Sequence, residues 1–344
     1  MITCWLNFIR KLSWSGAGMP DLFFHIGLPK CASTTIQNRV LSPVPGYLGT
    51  GKGFSAPENF AKQFQALAPV GPRLRGSMSA AKNWAERVLE YGQTLDPEVD
   101  RYIASSELLS NRNKLNPRPI VPFLRRFSDE VWTAGEVKVL LVVRNPADRI
   151  ASSYAQSSSS THGASQQHFE AHVERVLNRS FSTFDLAAWV DDLYQAMGRE
   201  NVCVLLMEDI GTPRFWEELK DFMQLEEFEP ASMLNTQGMN SRKSNPNRWR
   251  LSEFSPMDKA KSQSGKLLGL VWPAGRLPGL RRNIRSALNQ AIAGWHRINP
   301  ARHQARDTHI ELTDELRSRI QSHCRPLHER LATLLERDLS KLGY

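Results

Sequence analysis

Residues 23–37 read Phe23-Phe24-His25-Ile26-Gly27-Leu28-Pro29-Lys30-Cys31-Ala32-Ser33-Thr34-Thr35-Ile36-Gln37. An apolar strand runs into a tight turn, a lysine, a small residue and three successive hydroxyls. A strand that ends this way delivers the chain to a helix start, where unpaired amide N–H groups and the positive end of the macrodipole favour a bound oxyanion. Ser33, Thr34 and Thr35 can cap that helix and donate hydrogen bonds to an anion. Ala32 is small enough to let the backbone approach a ligand, and Lys30 adds a mobile positive charge. The stretch is built to hold a phosphate or a sulfate.

A second stretch has the same character. Val137-Lys138-Val139-Leu140-Leu141-Val142-Val143 is a nearly continuous β-branched run, the pattern of a strand buried on both faces of a parallel sheet. It ends in Arg144-Asn145-Pro146, and Ser152 lies eight residues beyond Arg144, past a proline-containing turn and inside the next helix. An arginine fork leaving the carboxyl end of a strand and a helix hydroxyl can together hold a phosphate.

Taken in this order, the two stretches resemble the donor-binding motifs of sulfotransferases that use 3′-phosphoadenosine 5′-phosphosulfate (PAPS). Residues 27–35 resemble the loop for the 5′-phosphosulfate, which places Lys30, Cys31, Ala32, Ser33, Thr34 and Thr35 against the donor. Arg144 and Ser152 match the arginine and serine of the 3′-phosphate motif. One departure is Ala32, where that pattern usually has glycine, so the backbone there is expected to do without a positive φ. Asn240-Ser241-Arg242-Lys243-Ser244 resembles the family's late loop over the donor, which assigns Arg242 to a donor contact. The resemblance implies an enzyme that moves a sulfuryl group from PAPS to a hydroxyl, with Lys30 stabilising the leaving phosphate and with no metal.

Along the rest of the chain, strands alternate with helical patterns, which argues for βαβ units and a parallel sheet. Strands are expected at 22–26, 102–105, 137–143 and 202–207. Leu186, Trp189, Val190, Leu193, Tyr194 and Met197 recur at helical spacing after a capping box from Ser182 to Asp185, and at that spacing Trp189 and Tyr194 read as core. Pro213 opens a further helix after an acidic turn at Glu208-Asp209 that is similar to the family's. Residues 331–344 read as a helix with the family's usual ending. The fold implied is an α/β, P-loop-like three-layer sandwich: a central parallel sheet, helices on both faces and a basic C-terminal insertion. Residues 1–18 read as a loose, weakly amphipathic extension, and 19–344 as a single sulfotransferase-like domain with variable insertions near 155–180 and 244–310, where acceptor specificity is expected.

At 344 residues and 41% hydrophobic, the chain can bury one large core. Cys4, Cys31, Cys203 and Cys324 have neither disulfide-scaffold nor zinc spacing, and a reducing compartment fits. Cys203 reads as core, whereas Lys30 and a helix start should favour the Cys31 thiolate. With no apolar run long enough to span a bilayer, the expected location is cytoplasmic, with peripheral contact at the inner face of the membrane.

Charge is concentrated in one segment. Between Arg242 and Arg306 stand 14 Lys or Arg against only Glu253 and Asp258, while the whole chain carries +9. Such a segment suits an anionic partner. Tryptophan and apolar residues at 267–272 beside Arg276, Arg281, Arg282 and Arg285 suit a membrane interface. Nucleic acid is disfavoured, since no recognition motif or interleaved aromatic platform accompanies the charge. The acceptor is expected to be a hydroxyl on a glycan or glycolipid.

Residues 46–53, Gly46-Tyr47-Leu48-Gly49-Thr50-Gly51-Lys52-Gly53, match the nucleotide-binding Walker spacing except at the last position, where glycine replaces the hydroxyl that ligates magnesium. A nucleotide kinase or NTPase is the alternative this raises, and a glycine-rich loop near the substrate is the plainer reading. A third alternative keeps the fold as a non-catalytic nucleotide- or membrane-binding module. The general base is open between Glu58, where glycan-modifying members of the family often place a glutamate, and Glu107, which follows the second strand. Histidine serves in the small-molecule branch, but His25 lies inside a strand and reads as core. His168 and His172 have i, i+4 spacing without a third metal ligand and read as a helix face.

Overall fold

Strand β1 (Asp21–His25) carries two adjacent phenylalanines that define the layers of the molecule. Side chains of successive strand residues point to opposite faces. Phe24 stacks on Phe64 at 4.3 Å and on Trp84 at 6.4 Å and meets Phe127 edge-on at 5.9 Å, while Phe23 meets Phe222 edge-on at 5.9 Å. Both are fully buried. The sheet is therefore covered on both sides, which is why its strands are apolar throughout rather than alternating. Each such buried aromatic contributes roughly 1.5–3 kcal/mol through burial.

The computed structural model describes residues 20–49, 59–67, 77–95, 99–107, 120–133, 135–161, 163–178, 185–234, 247–253 and 307–344, with isolated positions at 109, 255, 257, 259–260, 283–284, 286–292 and 294. Among them, β2 (Arg101–Ser105), β1, β3 (Val137–Val143) and β4 (Val202–Leu206) form a parallel sheet in the order β2-β1-β3-β4. Phe24 pairs with Ala104 on one side and Val139 on the other, and Leu141 pairs with Val204. The helix α1 (Ser33–Thr35) continues into a π-helical segment, Ile36–Leu41. On the Phe24 face lie α2 (Phe60–Leu67), α3 (Met78–Gly92) and α4 (Ile120–Glu130).

The order continues with α5 (Pro146–Ser157), α6 (Gln166–Leu177) and α7 (Leu186–Met197), the last packed against α4. Helix α8 (Pro213–Met223) supplies Phe222 to the Phe23 face, and α9 (Ala231–Leu234) follows. Strands β5 (Arg248–Arg250) and β6 (His309–Glu311) form an antiparallel pair, with Trp249 opposite Ile310, before the long helix α10 (Asp314–Leu335). These are the α/β class and the parallel central sheet expected from the sequence.

Two compact units result. The first comprises Met1–Asn145, Phe181–Met239 and Pro326–Tyr344 and holds the parallel sheet; the second comprises Pro146–Ser180 and Asn240–Arg325. In the second, α5 packs on β5 and β6, and Arg317 donates to Asp148 at 3.0 Å and to Asn247 at 2.9 Å.

Several local expectations need correction. Helix α7 is capped by Asp185, whose carboxylate accepts from the Ala188 amide at 2.8 Å, so the helix starts on Asp185 rather than on the box from Ser182. The final helix stops at Leu335, and Glu336 with φ 52 turns the chain out of it, so 331–344 is not one helix. Gly46, Tyr47 and Leu48 belong to a connection that is pinned to β2 by an isolated bridge rather than left free. The Gly46 carbonyl accepts from the Ile103 amide, and the Leu48 amide donates to the Ile103 carbonyl, which extends the sheet beyond β2. A methyl group at Gly46 would stand 2.3 Å from the Arg101 carbonyl oxygen, so only glycine fits there. Residues 50–53, and with them Lys52, lie outside the described residues.

Candidate functional site at the carboxyl edge of the sheet

Four parallel strands leave the same edge of the sheet, and each exit carries a polar group. Glu107 follows β2, the turn of residues 27–32 follows β1, Arg144 follows β3 and Glu208 follows β4. The carboxyl edge is where ligands of open α/β sheets bind. The β1 exit is held from both sides: the Leu28 amide donates to the Val142 carbonyl at 3.1 Å, and the Ser106 amide donates to the His25 carbonyl at 2.9 Å.

Beyond Leu28 the backbone bends sharply. Gly27, Lys30 and Ala32 all adopt left-handed φ values, of 56°, 72° and 56°. Ala32 therefore takes the positive φ that its missing glycine was expected to forbid, at a cost of about 1 kcal/mol for an L-residue. Ala32 is also the N-cap of α1 and receives no side-chain cap, so the three hydroxyls lie within the helix instead of capping it. The Ser33 hydroxyl is buried and, among the described residues, has no hydrogen-bond partner. Thr34 is exposed and Thr35 half-buried.

Gly27 is the point where the groups meet. A methyl group there would lie 3.0 Å from Cα and Cβ of Glu107 and 3.2 Å from the Ser33 hydroxyl, contacts tight enough that the neighbours would have to give way, while φ 56 itself favours glycine. Lys30 is half-buried, and burial lowers its pKa; the Glu107 charge opposes that shift and the Arg144 charge adds to it. Arg144 donates from Nη1 to the Lys30 carbonyl at 3.2 Å. The carboxyl edge of the sheet thus gathers a lysine, an arginine, a carboxylate, a buried hydroxyl and a helix start. Such an edge suits an anion carrying a group that can leave.

A family model described as "Sulfotransferase domain" matches residues 58–252, more than half of the chain. The chain belongs to the sulfotransferase family. It is an enzyme of that class. Among solved structures it is similar to a crystal structure of a sulfotransferase from Alicyclobacillus acidocaldarius, with 17% sequence identity, a TM-score of 0.45 and coverage of 95% of this chain and 100% of that one. No curated protein matches the sequence. Residues 27–35 of this sulfotransferase precede the matched span, so the turn rests on its own geometry.

The other expected site residues of the sulfotransferase fall in different places. Ser152 is half-buried in α5, in the second unit. Glu58 and Arg242 lie outside the described residues, as does most of the basic stretch. The Cys31 side chain is fully buried in the core, with Sγ 3.8 Å from the Pro29 carbonyl oxygen, so its backbone rather than its thiol faces the turn's outer side. His25 is fully buried with Nδ1 2.7 Å from the Ser105 hydroxyl, and burial pushes its pKa down to about 4. In the second unit, His168 Nδ1 lies 2.8 Å from the Tyr154 hydroxyl and the His172 ring 5.3 Å from the Tyr154 ring. Among the described residues, no group of three His, Cys, Asp or Glu is placed to hold a metal ion, and no helix is long and apolar enough to cross a membrane.

Sequence reasoning missed the depth of the Glu208 contacts. Its Oε1 accepts from both the amide and the side-chain nitrogen of Asn145, each at 2.9 Å, and its Oε2 accepts from the Tyr344 hydroxyl at 3.1 Å. The acidic turn was visible in the sequence, but its partners are 63 and 136 residues away.

Proposed function

We propose that this sulfotransferase takes the sulfuryl group from PAPS and passes it to a hydroxyl of a glycan or glycolipid. The observation that carries the reading is the buried Ser33 hydroxyl at the start of α1, without a hydrogen-bond partner among the described residues and flanked by the left-handed turns at Lys30 and Ala32. An unsatisfied buried hydroxyl costs about 1–3 kcal/mol, and a phosphosulfate oxygen at this position satisfies it.

In this reading the backbone of residues 30–35, with the Ser33 and Thr34 hydroxyls, holds the 5′-phosphosulfate. Arg144 takes the 3′-phosphate, with Ser152 and Arg242 as its expected companions. The acceptor oxygen attacks sulfur in line, the bond from sulfur to the bridging oxygen of the 5′-phosphate breaks, and adenosine 3′,5′-bisphosphate (PAP) departs. Lys30 balances the charge that grows on that oxygen, a contribution on the order of 3–4 kcal/mol for one preorganised contact. The acceptor proton passes to a carboxylate. Glu107 is favoured for this by its place beside Gly27 at the exit of β1, with Glu58 as the other candidate. A carboxylate base, with His25 buried on Ser105, fits the glycan-modifying branch better than the small-molecule branch. The basic 242–306 stretch is assigned to the acceptor side, against an anionic glycan or membrane surface.

The nucleotide kinase reading loses support from the contacts of residues 46–48, whose backbone groups are engaged by β2. The deciding experiment incubates the protein with sulfur-labelled PAPS and a panel of glycans, glycolipids and phenols. Label on a glycan or glycolipid with one PAP formed per sulfate is expected; label on phenols alone would contradict the acceptor class.

A further inference from the structure

Glu208 joins two neighbouring strand exits. It sits in the 3₁₀ turn Met207–Asp209 after β4, while Asn145, which binds Glu208 Oε1 through two nitrogens, follows Arg144 directly after β3. The orientation of the carboxylate is fixed at its other oxygen by the Tyr344 hydroxyl. Tyr344 is itself placed by the turn at Gly343, with φ 82, and by its ring, which meets the His328 ring edge-on at 5.2 Å. The same turn is tied to the chain after α10 by an ion pair between Asp209 and Arg337.

We infer that Tyr344 is a positioning residue for the donor's 3′-phosphate, acting through Glu208 and Asn145 on Arg144; this rests on the PAPS reading above. The physical basis is the sharing of one carboxylate. Both oxygens accept, so the group works as a staple only while it is held in one rotamer and ionised. Burial raises the Glu208 pKa, and the hydrogen bonds from Asn145 and Tyr344, together with the Arg144 charge, act against that rise. Without the hydroxyl, the carboxylate is held at Oε1 alone, so it can tilt and protonate more readily at Oε2, and the support it gives the backbone at 144–145 loosens. A guanidinium that must meet a phosphate with two parallel hydrogen bonds is sensitive to such a shift.

The test titrates PAP and 5′-AMP into the full chain as wild type, Tyr344→Phe, Glu208→Ala and the double variant, with a thermal melt of each. Tyr344→Phe keeps the ring against His328 and removes only the hydroxyl. Its preference for PAP over 5′-AMP should fall about 3–10-fold while the melting temperature stays within a few degrees of wild type. The double variant should match Glu208→Ala alone, because the hydroxyl acts through that carboxylate. An unchanged PAP preference in Tyr344→Phe, or independent losses that add in the double variant, would overturn the inference. A wild type that binds PAP no more tightly than 5′-AMP would instead overturn the donor reading, and the two failures are thereby told apart.

Discussion

Arg144 Nη1 donates to the carbonyl oxygen of Lys30 at 3.2 Å, so the side chain assigned to the 3′-phosphate also braces the turn assigned to the 5′-phosphosulfate. The sequence treats these as two separate motifs, and on that basis Arg144 reads only the 3′ position. The hydrogen bond changes the expected phenotype. Arg144→Ala should weaken PAP by one to two orders of magnitude, in keeping with about 1.5–3 kcal/mol for a bond to a charged group. It should also weaken 5′-AMP by several-fold, because the left-handed Lys30 loses its brace. Calorimetric titration of both nucleotides checks this, and an untouched 5′-AMP affinity would mean that the brace is dispensable.

Ser33 gives a variant whose effects on binding and on stability have opposite signs. Ser33→Ala removes a buried hydroxyl that has no partner among the described residues, so the empty protein should melt at the same temperature or a few degrees higher. PAP affinity should drop about 5–20-fold. A loss of stability without a loss of affinity would show that the hydroxyl serves the fold alone.

The left-handed Ala32 is the site at which a single methyl group can be removed with profit. Ala32→Gly relieves the strain of φ 56 and should stabilise the folded protein by up to about 1 kcal/mol, set against the greater freedom of glycine in the unfolded chain. Ala32→Val should destabilise it by more than that. Urea midpoints decide the matter, and a Gly variant less stable than wild type would contradict the strain assigned here.

Two buried imidazoles give the stability a pH dependence. Burial holds His25 and His328 neutral, with pKa values lowered from 6.5 to about 4. Between those values the unfolded chain binds more protons than the folded one, so their contribution is complete above pH 6.5 and is lost as pH falls toward 4. Each histidine gives a slope of up to ~1.4 kcal/mol per pH unit in that window. Urea melts at pH 7 and pH 5 should show the loss, and His328→Phe should reduce it; an equal loss in the variant would contradict the assignment.

Much of the fold was legible because its signals are local. The run 137–143 became β3 with the same ends, the candidates at 22–26, 102–105 and 202–207 moved by a residue at most at either end, and Pro213 opens α8 as its fixed φ dictates. The cap of α7 is Asp185, whose carboxylate accepts from the Ala188 amide, and Ser182, where the box was expected to begin, lies outside the described residues. At the site, the lysine, the hydroxyls and Arg144 could be read from strand-then-turn patterns. Glu208 and Tyr344 could not, since their significance comes from partners brought together only by the sheet order. Nor could the φ of Ala32, which the surrounding turn imposes against the residue's own preference.

The central claim is that the turn after β1 is a PAPS donor site, and titration of PAP into wild type and Lys30→Ala, with 5′-AMP and ATP as comparison ligands, tests it most directly. The account predicts that wild type binds PAP at least tenfold more tightly than either comparison ligand, and that Lys30→Ala weakens PAP by an order of magnitude or more without a change of fold. PAP binding no tighter than ATP in wild type, or binding indifferent to Lys30, would contradict it.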